Sequence, residues 1–429
     1  MGAGGVCRLR GRQRVSFAAM TTSSPQVGAG RPPILIIGGG LVGASLAIAL
    51  DAAGIDAVMV EAAAPRIGEQ PSYDERNLAL ARATVNGLAA IGVWPHVSAQ
   101  ATPIRHIHVT RAGEFGSVRM EAGRHGVDAL GWTLPARELG AGLLRRLDEC
   151  RHLKRLAPAR LEALEPTLTG WRARIATADG VIELDTPLLV GADGTASFVR
   201  DRLGIAAERY DYGQTLFVCT VTPERDHAHR AYERFADDGP VALLPLSGRR
   251  CGLVLTVPRE EADAVAALDD EAFIALAQQR FGWRLGRLSR PGRRHPYAIQ
   301  RVAAKELIGP RAVLVGNAAQ TVHPIGAQGF NLGLRDALTL AELVAEAGDP
   351  GSDDLLERYA ARRAADREGT MTMSHGLVQL ACLAQPLFGP LRSMAMLAFD
   401  RVPPLQRLLA RRGMGFRSEP PRAVLERLP

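Results

Sequence analysis

"PILIIGGGLVGASLAIALDAAGIDAVMVE", residues 33–61, is the stretch on which the fold turns. Ile34 to Ile37 form a short β-branched run, suited to a strand buried on both faces. From about Leu41 to Ala53 the residues are small and apolar; they predict a helix, stopped by Gly54. Ile55 to Val60 predict a second strand, closed by Glu61. Gly38-Gly39-Gly40-Leu41-Val42-Gly43 fits G-x-G-x-x-G, a weak sign alone. Here it follows a strand, opens a helix and precedes a second strand ending in an acid, which predicts a dinucleotide-binding turn. Gly38 permits the tight turn, Gly40 lets a pyrophosphate approach the backbone, and Gly43 lets helix and strand pack closely. The helix N-terminus offers N–H groups and positive partial charge to phosphates. Glu61 is expected to accept hydrogen bonds from ribose hydroxyls. This motif does not distinguish NAD from FAD.

Two further turns bear on that choice. "LLVGADGTASFVR", 188–200, is a strand followed by Gly191-Ala192-Asp193-Gly194 and then Arg200. "VLVGNAAQTVHPIGAQGFNLGLRD", 313–336, is an apolar strand, a run of backbone-exposing residues and a helical pattern. An Asp or Asn after a strand can hold a ribityl hydroxyl. Glycines feeding a helix can present N–H groups to the O2 and N1 atoms of a flavin, where reduction builds negative charge that a helix N-terminus stabilises. A nicotinamide dehydrogenase needs neither device.

The three motifs in this order resemble the FAD-dependent aromatic hydroxylases, single-component monooxygenases with one Rossmann-type nucleotide fold. Within that family "GNAAQTVHPIGAQGFNLGLRD" is most similar to the ubiquinone-biosynthesis hydroxylases. "DERNLALA" (74–81), "AYERFADDGPVALLPL" (231–246), "FGWRLG" (281–286) and "ADREGTM" (365–371) are similar to the bacterial 2-polyprenyl-6-methoxyphenol hydroxylases. The resemblance spans roughly 33–415. It implies that Gly38, Gly40, Gly43 and Glu61 bind the ADP half of FAD and that Arg76 lies near the flavin. Arg137 would contact the FAD phosphates, its alternative being a solvated helix arginine. Asp193 would serve FAD and a transient pyridine nucleotide. Gly316 and Asn317 would meet the ribityl chain, Asn standing where most flavin hydroxylases have Asp; Pro324, Gln328 and Gly329 would face the isoalloxazine. It also implies hydroxylation of a prenylated phenol by O2 through a flavin C4a-hydroperoxide, with NAD(P)H or a ferredoxin-type protein as electron donor. No catalytic side chain is assigned: His323 and Tyr297 read first as structural, with 231–246 and Tyr297 contributing to a substrate wall. One departure stands out. The family reads H-P-x-A-G-Q-G, whereas Gly326 and Ala327 are exchanged here; if position 327 needs a positive φ, alanine costs about 1 kcal/mol there.

The expected architecture is α/β. A one-Rossmann FAD-binding domain (33–100, 130–204 and 296–365) is interleaved with a β-rich substrate domain (101–129 and 205–295) and followed by a helical region (366–429). Residues 1–32 read as a disordered leader, or as upstream of a true start at Met20. Five arginines and no acid within 1–33 also suit a mitochondrial transit peptide, the weaker reading. At 47% hydrophobic and 23% charged the chain is not disordered in bulk. The net charge of +7 suits an anionic cofactor or a phospholipid surface. Nucleic acid is discounted for want of any recognition signature. Five scattered cysteines suggest neither disulfides nor a metal site, and no metal is expected. The most apolar stretch, 376–399, carries Pro386, Pro390 and Arg392 and predicts two short helices. A cytoplasmic protein at the periphery of the inner membrane is expected, with other ubiquinone-pathway proteins as candidate partners. The alternatives are a hydroxylase of a small soluble aromatic acid and a flavin-stabilised scaffold.

Overall fold

The computed structural model describes Met1 and residues 32–64, 76–382, 389–417 and 419–425. The leader, apart from Met1 and Pro32, and Asp74 and Glu75 of "DERNLALA" lie outside the described residues. The fold is α/β. Its six-stranded sheet runs in the order Ile308–Gly309, Ala312–Leu314, Leu189–Gly191, Ile34–Ile37, Ala57–Val60, Leu153–Leu156. All pairings are parallel except that of Ile308–Gly309. Every residue of Ile34–Ile37 is buried, as the β-branched run requires. The helix Leu41–Ala52 is buried over most of its surface, fitting its lack of a polar face. Its last turn closes through Gly54, whose N–H reaches Asp51 O at 2.9 Å, and Ile55, whose N–H reaches Leu50 O at 3.0 Å. That closure consumes Ile55, so the second strand begins at Ala57 and not at Ile55.

The stretch after Arg76 forms the strand Asn77–Ala81 before the helix Arg82–Ala90; the strand pairs antiparallel with the distant Gly131–Pro135. Between Thr102 and Arg111 the chain forms two strands separated at Arg105. Thr102–Ile104 joins the small sheet of Asn77–Ala81, and His106–Arg111 joins a larger one. Arg105 donates its N–H to His229 O at 2.9 Å, so the chain crosses between sheets there.

The larger sheet has nine strands, built chiefly on Ala207–Pro223, His295–Ala304, Cys251–Pro258, Val241–Pro245, Arg230–Phe235 and His106–Arg111. Alternation gives it two faces. Phe217, Cys219, Leu243, Leu253 and Leu255 pack with Phe273 and Phe281 of the helix Asp270–Phe281 on the outer face. Leu216, Val218, Val254 and Tyr297 cluster on the opposite, inward face. Phe235 is in contact there with Ile325 of the third glycine loop and Val378 of the helix Asp353–Cys382. That helix and Gly389–Arg401 replace the two short helices expected within 376–399. Among the described residues no helix is long and apolar enough to cross a membrane.

Candidate cofactor site and active site

Each glycine loop leaves the carboxyl end of a strand in the six-stranded sheet, and the three strands are adjacent. In open α/β sheets this is the edge where ligands bind. The first loop turns at Gly38, at φ +104°, where a Cβ would lie 2.4 Å from Ala192 O of the second loop. A Cβ on Gly43 would stand 1.9 Å from Gly38 O. Gly40 begins the helix with no side-chain cap, leaving that end to a ligand. Glu61 lies beside the turn: its Oε2 accepts the Gly39 N–H at 2.6 Å and its Oε1 the Ala63 N–H at 2.8 Å.

The second loop is tied to its own helix. Asp193 accepts the Ser197 hydroxyl at 2.5 Å and the Val199 N–H at 3.1 Å, while Ser197 Oγ caps Phe198–Arg202 by accepting the Arg200 N–H. Burial raises the Asp193 pKa, and these hydrogen bonds hold it down in part. The fully buried Arg200 donates to Thr195 O and, across to the third loop, to Ala318 O, both at 3.0 Å. The hydroxyls of Thr195 and Thr321 meet at 2.8 Å.

Val42 of the first loop's helix approaches Gly316, and a Cβ on Gly333 would lie 2.7 Å from it. Buried charge anchors the third loop. Asp336 accepts the Gly316 N–H at 3.2 Å, Gln320 Nε2 at 2.6 Å and Arg363 Nε at 2.7 Å. Asp366 accepts Arg335 Nε at 2.7 Å and Arg363 Nη2 at 2.8 Å. Burial would raise the Asp366 pKa, but Arg335 and Arg363 prevail and bring it down to about 2. Arg367 donates to Gln320 Oε1 at 2.9 Å, so "ADREGTM" is the clamp on this loop. Asn331 adds four hydrogen bonds, with Ala79 O, Ala81 N–H, Thr84 Oγ1 and Ala327 O, joining the loop to the strand after Arg76.

Within the third loop Asn317 and Pro324 are exposed among buried neighbours, while Gln328 is buried and Gly329 half-buried. Gln328 Nε2 reaches Gly326 O at 2.9 Å, and its Oε1 has no hydrogen-bond partner among the described residues. Gly326 and Ala327 both have positive φ, +64° and +50°, so the exchanged alanine does occupy a left-handed position. Ala327 caps the helix Gln328–Glu346 with no side-chain hydrogen bond, leaving a second open helix start. His323 is buried: Nδ1 accepts the Ile325 N–H at 3.1 Å, and Nε2 lies 3.4 Å from Gln214 Oε1. Burial, with His375 nearby, lowers its pKa to about 4, so the ring is neutral at pH 7 and serves the loop's shape.

Arg76 and Arg137 come together at one end of the small sheet, where Arg76 O accepts the Ala136 N–H at 2.8 Å. The Arg76 guanidinium lies 5.4 Å from the ring centre of Tyr297; Arg137 is exposed and reaches Glu138 Oε1 at 3.2 Å. Asn331 and the Asp336–Arg363–Asp366 network were not singled out from the sequence. A signal was present: Arg335 and Asp336 interrupt an otherwise apolar run of buried helix residues, where charges persist only when paired.

The open helix starts, the cradle that a Cβ would fill and the unpartnered Gln328 oxygen all fit a flavin dinucleotide. The FAD binding domain family model matches residues 31–374. The ubiquinone hydroxylase UbiL of Rhodospirillum rubrum is 36% identical over 91% of this chain and 92% of its own. The 3-demethoxyubiquinol 3-hydroxylase of Escherichia coli is 30% identical over 78% of this chain and 85% of its own. Among solved structures, the p-nitrophenol 4-monooxygenase PnpA of Pseudomonas putida superposes with a TM-score of 0.75 at 18% identity, covering 91% of this chain and 99% of that one, a likeness of fold. The chain therefore belongs to the FAD binding domain family, as an FAD-dependent monooxygenase of the aromatic-hydroxylase type.

Proposed function

We propose that this enzyme hydroxylates the ring of a prenylated phenol in ubiquinone biosynthesis. Its similarity to the two ubiquinone-pathway hydroxylases supports the pathway. The observation that carries the substrate class is the apolar inward face of the nine-stranded sheet, set over the third glycine loop by Phe235, Ile325 and Val378. FAD supplies the redox chemistry and the activation of O2. The chain binds it, orients the ring and excludes water. We assign FAD binding to 33–100, 130–204 and 296–365, and the substrate wall to 101–129 and 205–295. Gly38, Gly40, Gly43 and Glu61 take the ADP half, Arg76, Arg137 and Asp193 its phosphate and flavin surroundings, and Gly316, Asn317, Pro324, Gln328 and Gly329 the ribityl chain and ring. NAD(P)H or a ferredoxin-type protein donates the electrons. A small aromatic acid would call for a cation in the wall; Arg111, level with Phe235, is already paired with Glu114 and Asp237.

A prenyl tail needs an apolar route. Leu391, Met394, Phe399 and Val402 are exposed at helical spacing along and just beyond Gly389–Arg401. Arg401 and, on the helix Pro403–Gly413, Arg407, Arg411 and Arg412 are exposed as well. Apolar side chains flanked by guanidinium groups suit an anionic bilayer, and we assign this surface to it. Cosedimentation with phosphatidylglycerol vesicles, reduced severalfold in Met394→Glu/Phe399→Glu, checks the assignment; unchanged binding contradicts it. The pathway is tested by profiling quinone intermediates in cells lacking the protein. Accumulation of a 2-polyprenylated phenol is expected; a normal ubiquinone content ends the proposal.

A further inference from the structure

The inward face of the nine-stranded sheet carries an acid that neither the family match nor the cofactor geometry uses. The register places Val109, Glu233, Ala242, Val254 and Val218 in one row across five strands, so their side chains share a face. Val254 and Val218 belong to the inward cluster, and Val109 joins Phe235 and Ile325. Tyr232, one residue from Glu233, points the other way, into the outer core against Phe281. Glu233 is therefore inward, two residues and about 7 Å along its strand from Phe235, which touches the third glycine loop.

Glu233 is half-buried, so its side chain keeps accessible surface on this face. Among the described residues its carboxyl has no hydrogen bond or ion pair. Burial is the sole cause that pushes its pKa up to about 7. A carboxyl set among apolar side chains, with accessible oxygens and no protein partner, is placed to take a polar group of a ligand. Most charged and titratable groups around that face are otherwise engaged; Arg301, on the face of Tyr297 and near Tyr212, has an Nε without a hydrogen-bond partner among the described residues. Arg111 is paired with Glu114 and Asp237, Arg76 lies over Tyr297, and the Tyr212 hydroxyl meets His375 Nδ1 at 3.0 Å.

We infer that Glu233 is the substrate-orienting residue of this site, its carboxylate accepting the hydrogen bond of the phenolic O–H while the ring lies on the apolar row beside it. The inference rests on the hydroxylase reading above and adds the group that would recognise the ring. It requires a substrate with a free ring hydroxyl, and it disfavours a small aromatic acid, whose carboxylate would face a second carboxylate.

The test uses the FAD-loaded enzyme titrated with 2-geranylphenol and with its methyl ether, followed by the flavin absorbance change. Wild type is expected to bind the phenol about 10- to 100-fold more tightly than the ether, the range for a hydrogen bond to a charged group. That preference should fall as the pH drops below about 7, as the carboxylate takes up its proton. Glu233→Gln should keep its FAD, bind the ether as wild type does, and lose both the preference and its pH dependence. Equal preference in wild type and Glu233→Gln would overturn the inference while leaving the hydroxylase reading intact. No response of wild type to either ligand would instead overturn the hydroxylase reading. If Glu233→Gln does not retain FAD, the isosteric Glu233→Met is measured; loss of FAD there too would make Glu233 a residue of the fold and overturn the inference.

Discussion

The first and third glycine loops leave strands of one sheet and reach the same edge, yet different forces hold them. The first is held by close contact: Gly43 against the Gly38 carbonyl, Gly38 against Ala192, and a buried apolar helix behind. The third is held by charge: Asp336 and Asp366, each nearly inaccessible, bound to Arg335 and Arg363 from two long helices. Close packing tolerates no added atom and is indifferent to pH. A buried ionic clamp tolerates small changes of shape but depends on every partner staying charged.

The largest effect is expected where contact is tightest. Gly43→Ala places a methyl group 1.9 Å from a backbone oxygen, so the first loop must move. Absorbance of the purified variant should reveal no bound FAD, and denaturant unfolding a loss of about 5 kcal/mol or more. Asp366→Asn should come next. It strands Arg335 in the interior and leaves Arg363 with Asp336 alone, and should cost about 3–5 kcal/mol, with FAD held more loosely but not abolished. In the wild type this anchor weakens only in strong acid. The Asp366 carboxyl is held below its usual 3.8, so its contribution is full above that pH and disappears as the pH falls through about 2.

A milder acid effect separates the loops further. His323 is held neutral, with its pKa lowered from 6.5 to about 4. Between those values the unfolded chain binds more protons than the folded one, so stability falls as the pH drops through that window, by up to about 3 kcal/mol. His323→Asn keeps an acceptor for the Ile325 N–H and should flatten this part of the stability-versus-pH curve. His108, also lowered to about 4, is present in both proteins, so the difference reports His323. The smallest effect is expected at Ala327. Relief of its left-handed strain in Ala327→Gly, partly offset by the freer unfolded chain, should stabilise by about 0.5–1 kcal/mol in thermal or denaturant unfolding.

The same contrast explains what the sequence could reveal. The first loop was legible residue by residue, because its constraints are local: a β-branched strand, three glycines at fixed spacing, an acid after the next strand. The third loop was legible through its resemblance, but its anchor was not. Arg363 and Asp366 lie 27 and 30 residues from Asp336, and only the packing of two helices brings them together. The strand Asn77–Ala81 went unread for a similar reason, since its partner Gly131–Pro135 is far along the chain. Ala327 shows the opposite case: the swapped Gly326-Ala327 pair pointed to a strained position before any backbone angle was known, and the angle agrees. Glu233 was visible only inside a quoted motif, because its facing depends on cross-strand register and not on its neighbours in sequence.

The central claim is that three loops, two of them fastened by such different means, build a single flavin site. Its most direct test is the flavin stoichiometry of the gently purified chain after exposure to excess FAD and gel filtration. The account predicts a yellow protein with one FAD per chain in the wild type, and a colourless one in Gly43→Ala. A wild-type chain that stays colourless under those conditions would contradict it.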